Sequence, residues 1–168
     1  KRLDSERIVF CVGVMRRDAK KRAEIAERVR LNVIDAKQDG FKETAAWFWS
    51  FWCSEAEGFT TMTASDGWTS PNICCPLDPG FRQVAGDMVR DFARTGVDMV
   101  LLDDDYRYGN LHDSELVCTC ARHMALVEAK LGERITPAEL KKKAMTGGRN
   151  RWRDAWMHAN GKAFRDYA

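Results

Sequence analysis

Val97 to Tyr108, VDMVLLDDDYRY, is the stretch whose reading decides the fold: an apolar run stops abruptly at Asp103, Asp104 and Asp105. Six residues rich in Val, Leu and Met, preceded by Gly96, have the length of a strand buried on both faces of a parallel sheet. The carboxylates then stand at its carboxyl end. In parallel α/β sheets and barrels that edge is where strand ends and following loops converge on a ligand. Asp103 and Asp105 would share one face, with Cα atoms roughly 7 Å apart, and Asp104 would take the other. Like charges so close favour a shared proton, which suits a general acid beside a base, or else a cation that neutralises both.

Working outward towards the N-terminus, Ile8 to Met15 reads as a first buried strand, and Asp18 as the cap of a helix over 19–38. In that helix Ile25, Ala26, Val29, Val33 and Ala36 recur at helical spacing, and Gly40 terminates it. Phe41 to Trp52, FKETAAWFWSFW, is the second strand and its exit. Its aromatics are first of all core. Where they emerge, Trp49 and Trp52 offer an apolar floor for sugar rings, with Glu55 and Glu57 as hydrogen-bonding carboxylates. Residues 59–79 form a long loop with a short hairpin around Ser65-Asp66-Gly67, and Trp68 is either a loop anchor or part of a binding surface. Asp78-Pro79 starts the next helix, whose stripe of Phe81, Val84, Ala85, Met88, Val89 and Phe92 ends at Gly96. The order β-α-β-α-β with right-handed crossovers makes these strands parallel.

Beyond the acidic cluster, Arg107 can orient a carboxylate or meet a substrate oxygen, Tyr106 adjoins it, and His112 in the same loop is either a surface residue or a proton carrier at the substrate. Cys118, Cys120 and His123 in VCTCARH are soft ligands suited to zinc, with no fourth ligand adjacent. Cys74 and Cys75 complete such a site if the long loop folds over. Thr136-Pro137-Ala138-Glu139 is a capping box with proline at the first helical position. Gly147-Gly148 breaks that helix, and a last one from about Asn150 carries Trp152, Trp156, Ala159, Ala163 and Tyr167 on one face.

The chain has 168 residues and a net charge of only +2. One domain over residues 1–168 is expected, without the charge footprint of a nucleic-acid binder and without a membrane partner. Six cysteines that are not spaced as a disulfide scaffold point to reduced thiols and a cytoplasmic setting.

The stretches SPNICCPLDPGFR (70–82) and DMVLLDDDYRYGN (98–110), followed by CTCARHMALVEAKLGE (118–133), resemble bacterial glycoside hydrolases and glycosidase-like proteins. Some beta-galactosidases among these carry a cysteine zinc cluster near this point. The resemblance implies a parallel β/α-repeat chain, part of a (β/α)8 barrel, acting on glycosidic bonds of a carbohydrate substrate. It places Asp103, Asp104 and Asp105 at the catalytic edge, Arg107 beside it, and Cys118, Cys120 and His123 in a structural zinc cluster. The chain departs from characterised relatives in lacking a Glu or Asn-Glu acid after a fourth strand. A full barrel needs eight strands and about 250 residues, so the remaining strands are expected in a longer protein. Two alternatives stand beside the hydrolase: a magnesium-dependent phosphoryl-transfer enzyme, and a non-catalytic carbohydrate-binding domain that uses the tryptophans.

Overall fold

A computed structural model describes residues 5–103 and 115–167. Asp104, Asp105, Tyr106, Arg107 and His112 lie outside the described residues. Five strands and five helices are seen among the described residues, in the order β1 (Arg7–Met15), α1 (Ala19–Gln38), β2 (Glu43–Cys53), β3 (Thr61–Thr63), β4 (Thr69–Cys74), α2 (Pro79–Ala93), β5 (Met99–Leu102), α3 (Ala121–Leu131), α4 (Pro137–Ala144) and α5 (Arg151–Tyr167). They divide into two compact units, residues 1–55 with 83–105, and residues 56–82 with 106–168.

In the first, or sheet, unit β2 lies between β1 and β5, and both pairings are parallel. Cys11 faces Trp47 across one ladder, and Ala46 faces Val100 across the other. Parallel pairing brings the carboxyl ends of all three strands to one edge. β2 is the buried strand, as its Thr44, Ala45, Ala46, Phe48 and Ser50 indicate. By contrast β1 alternates exposed and half-buried residues as far as Cys11 and is half-buried from there until the buried Met15, and β5 is half-buried throughout, so neither is the doubly covered strand its apolar sequence suggested. Apolar composition cannot tell an outer strand from a central one when each pairs along one side only.

Helix α1 starts where expected, with Asp18 accepting from the Lys21 backbone N–H, and it buries Val29, Val33 and Ala36. From the same helix Arg22, almost enclosed, reaches Asp91 at 3.1 Å and Asp87 at 3.7 Å on α2. Phe48 meets Phe92 with ring centroids 6.0 Å apart. At the end of β2, Glu55 accepts from Lys21 Nζ at 2.8 Å and from the Arg17 N–H at 2.9 Å. Partial burial alone would raise this carboxyl, but the Lys21 and Arg17 hydrogen bonds outweigh it and hold the pKa at about 2, from an ordinary 4.5. Because the folded pKa lies below the unfolded one, the contribution is complete above pH 4.5 and disappears as pH falls through about 2. Glu55→Gln is therefore expected to narrow the stability gap from the parent progressively across that window, as followed by urea unfolding at stepped pH. A gap independent of pH would remove the assignment.

The second unit contains the hairpin and the helices. The turn at Ser65-Asp66-Gly67 joins β3 and β4, which pair antiparallel with Thr61 opposite Cys74 and Thr63 opposite Thr69. Gly67 has φ +95°, the left-handed conformation that such a turn takes most cheaply with glycine. Helices α3, α4 and α5 then follow one another with no strand between them among the described residues. They enclose a core of Met124, Val127, Ile135, Leu140, Ala144, Ala155 and Ala159, with Leu116 from the segment before α3. Thr136 and Glu139 form the reciprocal capping box read from the sequence. Thr136→Ala should lower stability by about 1 kcal/mol, read as a lower urea midpoint; an unchanged midpoint would show that the cap contributes nothing here.

The expectation of a parallel β/α-repeat chain, part of a (β/α)8 barrel, is thus corrected. The molecule is mixed α/β, with parallel pairs in one unit and an antiparallel hairpin in the other. The alternation of strand and helix ends at β5. The physical reason is visible in α5, whose small residues Ala155, Ala159 and Ala163 are buried, so that its apolar face is satisfied among helices rather than against a strand.

Candidate metal centre

Three short segments of the second unit bring four ligand side chains together. Cys75 directly follows β4, and its N–H donates to the Thr60 carbonyl at 2.8 Å, which continues the hairpin by one residue. Residues 115–119 run antiparallel beside β3 and the turn: Ser65 N donates to Leu116 O at 3.0 Å, and Thr119 N to Thr63 O at 2.7 Å. That pairing fixes Cys118. Cys120 is the N-cap of α3, and His123 stands one turn further along the same helix.

The ligand atoms of Cys75, Cys118, Cys120 and His123 all lie within 4.8 Å of one another, and all four residues are buried. Cys120 Sγ is 3.6 Å from Cys75 Sγ and 3.5 Å from His123 Nδ1, while Cys75 Sγ is 3.4 Å from His123 Nδ1. A tetrahedral zinc with Zn–S of about 2.3 Å and Zn–N of about 2.05 Å requires S···S edges of about 3.8 Å and S···N edges of about 3.5 Å. The three edges among Cys75, Cys120 and His123 match those of a coordination tetrahedron to within a few tenths of an ångström, and Cys118 Sγ lies within 4.8 Å of the other three ligand atoms.

Electrostatics point the same way. Hydrogen bonding with Cys118 and Cys120, and then burial, push the Cys75 thiol far up; burial first, and then Cys120, push Cys118 up to about 12. Hydrogen bonds from Cys118 and Cys75 hold Cys120 far down. Three thiols in one dry pocket can lose a single proton among them, and only a cation allows the others to ionise. The surroundings are already arranged for thiolates. The Leu77 N–H donates to Cys75 Sγ and the Thr63 N–H to Cys118 Sγ, each at 3.4 Å, while the start of α3 favours negative charge on Cys120. The group can hold a metal ion, and with four protein donors it leaves no open position for substrate.

Cys118, Cys120 and His123, read from the sequence as ligands, are therefore brought together. The fourth ligand is Cys75, while Cys74 is buried as the last residue of β4 and is not one of the four. Sequence alone named both cysteines and could not choose between them. The choice is made by the hairpin register, because neighbouring residues of an extended chain point to opposite sides.

The acidic edge is described only at Asp103. This residue follows β5 directly and is 9 % exposed. Its N–H donates to Phe48 O at 2.9 Å, and its carbonyl accepts from Ser50 Oγ at 2.8 Å, which ties it to β2 at the edge where the parallel strands end. Trp49 and Trp52 belong to the same unit and meet edge to face with centroids 5.5 Å apart; Trp49 is half-buried and Trp52 is 38 % exposed. Glu55 is engaged with Lys21 and the Arg17 backbone. Trp68 lies in the hairpin of the other unit, where its carbonyl accepts from Ala64 N at 2.7 Å and its N–H donates to Asp66.

No family model matches the chain, and no curated protein or solved structure matches it either. No helix among the described residues is long and apolar enough to cross a membrane.

Proposed function

We propose that the chain is a zinc-binding protein in which Cys75, Cys118, Cys120 and His123 hold the ion as a closed, structural centre. The observation that carries this reading is the convergence of four buried ligand atoms from three separate segments to within 4.8 Å of one another, with the edges among Cys75, Cys120 and His123 close to those of a coordination tetrahedron. Zinc suits the donor set, because soft thiolates with one imidazole select it over hard cations such as magnesium. Its role there is to join the β3–β4 hairpin to α3. Elemental analysis of protein purified without chelator tests this directly: about one zinc per chain is expected, and a metal-free protein that takes up no zinc on titration would overturn it. All six cysteines are free thiols, which accords with a reducing compartment such as the cytoplasm.

A second reading concerns the sheet unit and is favoured by the position of Asp103. A buried carboxylate directly after a parallel strand, on the edge that β1 and β2 also reach, is placed as catalytic carboxylates are placed in α/β enzymes. Together with the resemblance of residues 98–133, and with Trp49 and Trp52 near the end of β2, it supports hydrolysis of glycosides, with Asp103 as acid or nucleophile. Both stereochemical routes need a second carboxylate, about 5 Å away for retention or about 6.5–9.5 Å away for inversion. Asp105, outside the described residues, is the candidate that the sequence offers for it. Turnover of a panel of aryl glycosides by the full chain, lost in Asp103→Asn, is the test. Sugar binding without turnover would favour a carbohydrate-binding domain instead.

A further inference from the structure

The net charge of +2 conceals an uneven distribution. Between Leu140 and Arg153 the chain has Lys141, Lys142, Lys143, Arg149, Arg151 and Arg153, and no Asp or Glu. Two of them, Lys142 and Lys143, line a groove of about 470 Å³ at the α4–α5 turn together with Glu139, Thr146, Asn150 and Trp152.

Accounting for the cations singles out two of them. Lys141 pairs with Glu115, Arg149 with Asp154, and Arg151 with Glu133. Arg153 donates to the Ala144 and Gly147 carbonyls. Lys142 and Lys143 are left: among the described residues no carboxylate lies within ion-pair distance of either, although the charge of Lys143 helps to lower the pKa of Glu139, and both residues line the groove. The one carboxylate in the lining, Glu139, is committed to the Thr136 cap, with Oε2 accepting from Thr136 N at 3.0 Å and from Thr136 Oγ1 at 2.7 Å. The turn is gathered around Asn150, whose Nδ2 lies 3.2 Å from each of the carbonyls of Lys143, Thr146 and Gly148 and shares its two hydrogens among them.

Beside these two charges stands an indole. Lys143 Nζ lies 5.0 Å from the Trp152 ring centroid and Arg151 Cζ lies 4.9 Å from it, while Trp152 Nε1 donates to Glu133 Oε1 at 3.3 Å. Trp152 is half-buried against the helical core, and an ammonium on its ring is held less strongly than by a carboxylate or phosphate. A phosphate offers Lys143 a stronger, charge-assisted partner, and the indole face that it vacates is a stacking surface for a flat heterocycle.

We propose that this groove binds a nucleoside phosphate, with the phosphate on Lys142 and Lys143 and the base on Trp152. The ligand can come from a free nucleotide or from a single strand of nucleic acid, and the recognition chemistry is the same for both.

The test titrates the full chain calorimetrically at low salt with AMP, adenosine and inorganic phosphate, and by fluorescence anisotropy with a labelled oligodeoxyadenylate. AMP is expected to bind roughly tenfold or more tightly than either half of the molecule, because charge and stacking act together. The double variant Lys142→Glu with Lys143→Glu, two exposed positions that leave the fold intact, should abolish binding. Trp152→Phe, which keeps an aromatic ring in its packing site, should retain binding of AMP, and Trp152→Leu should lose the preference for AMP over phosphate. An oligonucleotide that binds more tightly than AMP, with an affinity falling steeply in salt, identifies the strand as the source; equal affinities identify the free nucleotide. AMP binding no tighter than phosphate, or undiminished in the lysine double variant, overturns the proposal.

Discussion

Cys75→Ser and Cys120→Ser are each expected to remove zinc from the chain and, with it, the cooperative unfolding of the hairpin and helix unit. The size of the effect follows from what the ion replaces. Apparent zinc affinities of structural sites correspond to roughly 10–16 kcal/mol at neutral pH, comparable to the whole stability of an ordinary domain at about 5–15 kcal/mol. The helices retain a small core of their own around Leu140 and Val127, so secondary structure should survive in part while the fixed packing at the start of α3 is lost. The signature is a broad, early thermal transition and loss of near-ultraviolet dichroism, reproduced in the parent by a chelator and reversed by added zinc. Cys11→Ser, at an exposed position in the other unit and not one of the four ligands, should behave as the parent. Acid should act as the chelator does. Cys75 and Cys118 hold their protons strongly without the ion, so falling pH favours the protonated, metal-free form and rising pH favours the bound one. Variants with full zinc content and an unchanged melt would dispose of the centre.

Asp103→Asn carries the second large effect. If this carboxylate gives or takes a proton, or attacks the anomeric carbon, the amide can do neither, and turnover should fall by about 10²–10⁴. The substitution is nearly isosteric, and the backbone bonds of residue 103 to Phe48 and Ser50 do not involve the side chain, so the fold should be retained. Substrate affinity should change far less than kcat, which separates a chemical role from a structural one. A variant with parental kcat would show that Asp103 serves only to end β5.

Much of the local structure was legible in the chain because it rests on short-range chemistry. Asp18 and the Thr136–Glu139 box announced two helix starts, Asp78-Pro79 a third, and Ser65-Asp66-Gly67 the hairpin; each depends on one or two residues meeting backbone groups a turn away. The parallel β1–β2–β5 arrangement was also legible, since two right-handed crossovers leave little choice. The continuation was not. An apolar stripe such as Trp152, Trp156, Ala159 and Ala163 states that a face is buried, but not whether a strand or another helix buries it, and here helices do. The barrel expectation extended the early alternation into a region where no further named strand follows among the described residues.

The metal centre divides in the same way. Cys118, Cys120 and His123 are close in sequence, and their spacing along the start of α3 was readable. Cys75 depends on pairing between β3 and β4 and on residues 115–119 lying beside β3, both of which are contacts between distant parts of the chain. No periodicity reports such contacts. For the acidic edge the sequence remains the fuller source, because Asp104, Asp105, Tyr106, Arg107 and His112 lie outside the described residues.

The ligands Cys75 and Cys120 are 45 positions apart, and the intervening chain includes all of α2 and β5. Zinc would therefore act as a clasp on a long excursion of the polypeptide, in the manner of a reversible crosslink whose loop-closure benefit is about 4 kcal/mol for this span. A protease cut placed within that excursion should leave both pieces co-eluting on a sizing column until chelator is added, whereas a nick between α4 and α5 should show no such dependence on metal.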